Sequence, residues 1–301
     1  MINYIELLLN KISAKNQKHA TKLRENLKHL SDDYFHLGNS FYEKYEKYLH
    51  SQKLTLDFGV ECYLRMSEDM VEERIKFIQN GKYSNTSFAE VDKTVYSNPG
   101  VMTYHMHGLV LGQFLWFEQW ERIKFFVDNL QHYFRNGRKY LEIGGGHGLY
   151  INEAMKLLPD TTQFDLVDIS ESSLTLARGI LNTNRVNFHL KNIFDFTNDD
   201  EYDFVTIGEV LEHVEEPLRL LKQIRNHLSA NGFCYLTTPI NAPMIDHIYL
   251  FNDEQEIRNL LTEAGFEIVK EKIVISEKIS SAKAVRYKVP VMYAAFIETI
   301  K

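Results

Sequence analysis

Glu209, Glu212 and His213 stand three and four positions apart in EVLEHVEEP, residues 209–217, directly after the apolar run YDFVTIG at 202–208. If the segment turns helical, their side chains share one face and converge. Two carboxylates and an imidazole brought together can hold a divalent cation. A solvated helix face would carry the same residues, so the stretch alone leaves both readings open.

A second chemical signal lies in YLEIGGGHGLY, residues 140–150. It reads as a strand, then Glu142-x-Gly144-x-Gly146-x-Gly148, then a helix, with glycines where the backbone must turn tightly and approach a ligand. The dinucleotide fingerprint GxGxxG fails in register, because position 149 is Leu149. Glu142 beside the loop is ill matched to a pyrophosphate and suits a ligand carrying an amino group and a sulfonium. Asp168 ends the next apolar run, FDLVDIS, where an acid can accept from both ribose hydroxyls.

These residues need a scaffold, and the pattern supplies one. Residues 1–137 show long helical periodicities, as in VECYLRMSEDMVEERIKFIQ, and few strand signals. From 138 to 301 the texture alternates. Strands are expected at 139–143, 163–167, 186–190, 202–208 and 232–238, with helices at 148–157, 171–181, 215–229 and 253–264. Such alternation implies an α/β domain with a mostly parallel sheet, preceded by an all-helical N-terminal domain. The tail, FEIVKEKIVIS and VPVMYAAFIETIK, reads as two strands joined by a loop without a helix, making the last strand antiparallel.

Composition narrows the function class. A net charge of −7 argues against broad nucleic-acid binding. The first stretch is nonetheless basic, with Lys11, Lys15, Lys18, Lys22, Arg24 and Lys28. Cys62 and Cys234 lack CxxC spacing, which disfavours structural zinc and disulfides and fits a cytoplasmic protein. No segment reads as a signal peptide or a membrane span.

Taken together, E-x-G-x-G-x-G after the first strand, DIS after the second and EVLEHV after the fourth resemble the class I S-adenosylmethionine-dependent methyltransferases. The resemblance implies a Rossmann-like seven-stranded sheet of order 3-2-1-4-5-7-6 and S-adenosyl-L-methionine as cofactor. It implies that Glu142, Gly144, Gly145 and Gly146 hold the methionine part, that Asp168 binds the ribose with Ile169 beside the adenine, and that Asn192 and Ile193 follow on the adenine side. Asn192 stands where many relatives carry an Asp, and Asp195 is the alternative register. Glu209 would lie next to the transferred methyl group.

EVLEH is similar to ubiquinone-biosynthesis O-methyltransferases and to small-RNA 2′-O-methyltransferases. In the latter, two Glu and two His hold a divalent metal, which here implies Glu209, Glu212, His213 and His247, the last from MIDHIYLFNDEQEI. Mn, Fe, Co or Zn suits that set, with Mg less favoured. Without a metal, His213 or His247 becomes the general base. Neither subfamily supplies the N-terminal region. In TYHMHGLVLGQFLWFEQWERIKFF, Tyr104, His105 and His107 are candidate acceptor contacts, and the aromatic stripe is core or a cover over the crevice. The expected function is O-methylation of a small molecule, with RNA or peptide methylation, or N- or C-methylation without metal, as the alternatives. Oligomeric state is not legible.

Overall fold

The computed structural model describes residues 2–197 and 201–300. From Tyr4 to Phe134 every regular element is helical: α1 (Tyr4–Lys15), α2 (Gln17–Leu27), α3 (Asp32–Ser51), α4 (Leu56–Asn80), the short α5 (Phe88–Val91), a π-helical turn (Asp92–Tyr96), α6 (Pro99–Leu115) and α7 (Phe117–Phe134). Local chemistry sets the boundaries. Asn98 Oδ1 accepts from the backbone N–H of Gly100 and Val101, and Pro99 occupies the first turn of α6. Gly81, at φ +71°, closes α4 in the left-handed conformation. α6 is buried on nearly all sides, as its even apolar distribution requires, because it packs against α4 and α3 as well as α7.

The remaining elements alternate: β1 (Lys139–Ile143), α8 (Leu149–Leu157), β2 (Gln163–Asp168), α9 (Glu171–Leu181), β3 (Val186–Leu190), β4 (Tyr202–Gly208), a 3-10 turn (Leu211–His213), α10 (Pro217–His227), β5 (Leu228–Ile240), α11 (Glu254–Glu263), β6 (Phe266–Ile275), α12 (Ser281–Arg286) and β7 (Val291–Thr299). The sheet order is β3-β2-β1-β4-β5-β7-β6. β7 runs antiparallel to both its neighbours, and the other pairs are parallel. The tail differs from expectation in one respect. The connection between its strands contains α12, whose sequence SAKAVR consists mostly of good helix formers.

Strand alternation divides the core. Tyr140, Phe164, Phe204, Tyr235 and Phe296 face the helices of the N-terminal region, and they share one apolar cluster with Phe125, Phe126 and Phe114. Leu141, Val167, Val205, Leu236 and Ile297 face the other way, toward Leu220, Ile224 and Leu261 of α10 and α11. The helical layer is therefore seated on one sheet face through a common core. α7 touches β4, β5, β6 and β7.

The basic stretch in α1 and α2 is partly neutralised. Lys11 pairs with Asp57 at 2.8 Å, Lys15 with Glu61 at 2.9 Å and Arg24 with Glu6 at 2.8 Å. No helix among the described residues is long and apolar enough to cross a membrane.

Candidate active site

The carboxyl ends of β1, β2, β4 and β5 open into one cavity of about 420 Å³. Its cofactor-like half is built on backbone contacts. Gly144 has φ +65°, and a Cβ there would lie 2.5 Å from Val210 Cγ2, so only glycine fits the turn. Asp168 accepts from two backbone N–H groups, Ser170 at 2.8 Å through Oδ1 and Gly146 at 3.1 Å through Oδ2. Glu142 Oε2 accepts from the N–H of Ile151 at 2.6 Å. Burial, with the nearby charge of Asp168 adding to it, pushes the Glu142 carboxyl up to about 8. Asn192 Oδ1 accepts from the N–H of Phe194 at 3.1 Å. All the residues expected to surround the cofactor, Glu142, Gly144, Gly145, Gly146, Asp168, Ile169, Asn192, Ile193 and Glu209, line this cavity; Asp195 does not.

The other half is built on side chains. Glu212 is fully buried, and its Oε2 accepts from Thr238 Oγ1 at 2.9 Å. Its Oε1 has no hydrogen-bond partner. That oxygen lies 3.8 Å from His213 Nε2 and 4.0 Å from His247 Nε2. His247 Nδ1 donates to the carbonyl of Ala242 at 2.6 Å, and His213 Nδ1 donates to the carbonyl of Asp246 at 2.9 Å. A carbonyl can only accept, so both imidazoles carry a proton on Nδ1, and in the neutral form each turns the lone pair of Nε2 toward Glu212. Three potential ligand atoms, all within 4.8 Å of one another, thus converge on one point. That is the arrangement a divalent cation requires, with outer partners fixing each ligand. Burial, then the charge of Glu209, raises the Glu212 carboxyl well above its usual range. Burial, then His213, lowers His247 to about 3.

Glu209 departs from the expected ligand set. It adopts φ +57°, outside the 3-10 turn that carries Glu212 and His213, so the three do not share a helical face. Its carboxylate instead forms an ion pair with Arg122 of α7. Among the described residues the cation-competent cluster is Glu212, His213 and His247.

The acceptor candidates divide as well. His105 lines the cavity, and its Nε2 lies 3.3 Å from Asp246 Oδ2. His107, two positions on, points the other way on α6. It receives Tyr45 OH at Nδ1 (2.7 Å) and stacks on Tyr48, while burial lowers it to about 4 and keeps it neutral. Tyr104 OH donates to Asp69 at 2.6 Å, away from the cavity. Both are helical-layer contacts, because positions two apart on a helix do not share a face.

Three cavity residues were not singled out from sequence. Arg122, 2 % exposed, is one of two cations in the aromatic run WERIKFF, and Lys124 pairs with Asp128 instead. Tyr96, from the π-helical turn, places its hydroxyl 2.9 Å from His213 Nδ1; such turns mark functional positions often enough to be a signal once seen. Asp246 stands between His105 and His213. Burial would raise its carboxyl, but His213, His105 and His247 outweigh that and hold it well below the usual range.

A seven-stranded sheet with a reversed last strand, a glycine turn after β1 and an acid ending β2 define a nucleoside-binding methyltransferase fold, and comparison with known proteins agrees. Residues 117–271, just over half of the chain, match the family model described as a methyltransferase domain, so the chain belongs to that family. It is a class I S-adenosylmethionine-dependent methyltransferase. It is 27 % identical over 125 residues to a ubiquinone biosynthesis O-methyltransferase of Hydrogenovibrio crunogenus, covering 40 % of this chain and 50 % of that protein. It is 25 % identical over 127 residues to a malonyl-[acyl-carrier protein] O-methyltransferase of Bacillus cereus, covering 42 % and 47 %. The chain thus spans about half the length of these curated relatives. Among solved structures, mitomycin 7-O-methyltransferase superposes with a TM-score of 0.53 at 13 % identity, covering 81 % of this chain and 71 % of that one. That likeness concerns the fold.

Proposed function

We propose that this methyltransferase transfers the methyl group of S-adenosyl-L-methionine to an oxygen of a small-molecule acceptor bearing vicinal oxygens, such as a catechol, a diol or a sugar. The observation that carries the reading is the single cavity. It runs from Asp168 and the glycine turn to His213 and His247, under a roof of Met102, Met106 and Leu109 from α6 and Trp116 after it. A volume of about 420 Å³, shared by cofactor and acceptor beneath an apolar cover, suits a small acceptor. A polymer would need an open groove. Names among the curated relatives, ubiquinone biosynthesis and malonyl-[acyl-carrier protein] O-methylation, support an oxygen acceptor.

In this reading Asp168 clasps the ribose hydroxyls, and the glycine turn with Glu142 receives the α-amino end. Asn192 takes the adenine amino group through the free lone pair of its Oδ1. Glu209 sits at the methyl group with its charge balanced by Arg122. With S-adenosyl-L-methionine bound, the acceptor oxygen, having given up its proton, would attack the methyl group in line with sulfur, and the C–S bonding pair would leave with sulfur to give S-adenosylhomocysteine. Glu212, His213 and His247 would hold a divalent cation of the Mn, Fe, Co or Zn type, and two imidazoles with one carboxylate make Mg a poorer match. When bound, that ion would lower the pKa of the acceptor hydroxyl and orient its neighbour. Tyr96 and the Asp246 carbonyl keep His213 in the tautomer that presents Nε2. Free, buried Cys62 and Cys234 fit a cytoplasmic enzyme.

Calorimetry with S-adenosylhomocysteine, followed by a panel of catechols, diols and sugars with and without chelator, tests this. Micromolar cofactor binding and chelator-sensitive methylation of a vicinal-oxygen acceptor are expected. Turnover untouched by chelation would transfer the acceptor's proton to His213 or His247 acting as base, and turnover of RNA alone would overturn the acceptor class.

A further inference from the structure

Assigning the cation to Glu212, His213 and His247, on which this inference rests, leaves Glu209 unexplained as a neighbour. It stands three positions before Glu212, just ahead of the 3-10 turn, and lines the same cavity as His213 and His247. A carboxylate in that cavity, if no cation held it, would be available to the metal as a fourth ligand. We propose that Arg122 of α7 withholds Glu209 from the cation and thereby fixes the protein's contribution at three ligands.

The guanidinium is anchored independently of Glu209. Arg122 is 2 % exposed, its Nη1 also meets Thr237 Oγ1 at 3.2 Å, and its own carbonyl accepts from Tyr235 OH at 2.9 Å. Both partners lie on β5, so the arginine is held by the sheet at head and backbone. A buried cation so placed requires an anion, and Glu209 is the carboxylate that meets it. The positive φ of Glu209 takes its carboxylate out of the 3-10 turn and to α7. Arginine and metal compete for one side chain, and the arginine holds it.

Two chemical consequences distinguish this from a four-ligand site. A divalent ion on one carboxylate and two neutral imidazoles keeps a net charge of +1 rather than zero, so it polarises a hydroxyl more strongly. It also keeps more open positions, enough for two acceptor oxygens together. The helical region thus sets the ligand count through Arg122, although its helices supply none of the three ligands.

Co²⁺ titration of the apo full-length protein, followed by calorimetry and by the visible absorption of the bound ion, tests the proposal. Glu212→Gln should weaken Co²⁺ binding at least about thirtyfold, whereas Glu209→Gln should change it by less than about threefold. Arg122→Met should tighten it about tenfold and alter the Co²⁺ spectrum as a ligand is added, and the double variant Arg122→Met/Glu209→Gln should lose that gain. Arg122→Lys, which keeps the charge, should resemble wild type, and it preserves the test if the methionine variant fails to fold. Glu209→Gln weakening the ion as much as Glu212→Gln, or a gain that persists in the double variant, overturns the proposal while leaving the cation reading intact. Binding by Arg122→Met alone upholds the proposal and overturns that reading for the native chain. No binding by either, in proteins that still bind S-adenosylhomocysteine, overturns both.

Discussion

The two acidic turns of the cavity are built on opposite principles. After β1 and β2, Glu142 and Asp168 are satisfied by backbone N–H groups within about ten residues or across the adjacent turn. After β4, Glu209 and one oxygen of Glu212 are held by side chains, Arg122 and Thr238, that come from other elements of the chain. Backbone donors fix a carboxylate once the turn has formed. Side-chain donors fix it only if separate elements dock correctly, and they can be changed one residue at a time. The first half of the site is therefore rigid and general, and the second is adjustable.

The widest break between the halves should come from Asp168→Ala. It removes the ribose acceptor and strands the N–H groups of Gly146 and Ser170. Calorimetry should show S-adenosylhomocysteine binding weakened about 100-fold, in line with the loss of two charge-assisted hydrogen bonds, while Co²⁺ affinity stays within about twofold. Equal loss of both ligands would mean that the halves are not separable.

Next in size, Tyr96→Phe should weaken Co²⁺ about tenfold, because the hydroxyl at 2.9 Å from His213 Nδ1 helps hold a ligand ring. Cofactor affinity should not move. An unchanged Co²⁺ affinity would assign Tyr96 to the acceptor chamber alone.

Glu142 offers a pH test of comparable size confined to the cofactor half. Its folded-state carboxyl titrates at about 8, above its unfolded value, so the stability it contributes to the apoprotein is present at low pH and lost as pH rises through about 8. Binding of an ammonium-bearing ligand runs the other way, since the ligand prefers the carboxylate. S-adenosylhomocysteine affinity should rise about tenfold from about pH 6.5 to 8.5, with proton release in calorimetry buffers of differing ionisation heat. Glu142→Gln should flatten both trends; a slope that survives would assign the titration to another group.

Smallest is His107→Phe. Leaving the Tyr45 hydroxyl unpaired should cost about 1–2 kcal/mol in chemical denaturation and leave both affinities unchanged. A loss of activity without a loss of stability would return His107 to the site.

The same contrast explains what the sequence disclosed. The glycine turn, Asp168 and the strand alternation are local patterns whose partners lie nearby in the chain, so the alternating architecture and the residues lining that half of the cavity were legible, while the sheet order followed from the resemblance. Glu209, expected among the metal ligands from the resemblance, pairs instead with Arg122, because the shared face that the spacing suggested assumes a continuous helix. A left-handed residue at 209 breaks that face, and no rule of spacing shows it. Arg122 was invisible for a related reason. Its importance depends on α7 docking over the ends of β4 and β5, 87 positions from its carboxylate partner by number. His105 and His107 looked equivalent in sequence until the helix fixed which of them turned toward the cavity.

The seat of α7 on the sheet bears on how such enzymes can be recombined. Phe125 and Phe126 are embedded among sheet aromatics, and Arg122 reaches Glu209, so a junction at residue 137 would tear this helix from its bed. Trp116, which ends α6 and begins α7, is the natural seam. A chimera spliced there would exchange the roof, together with Tyr96 and His105, while keeping Arg122 and the nucleoside-binding half in place.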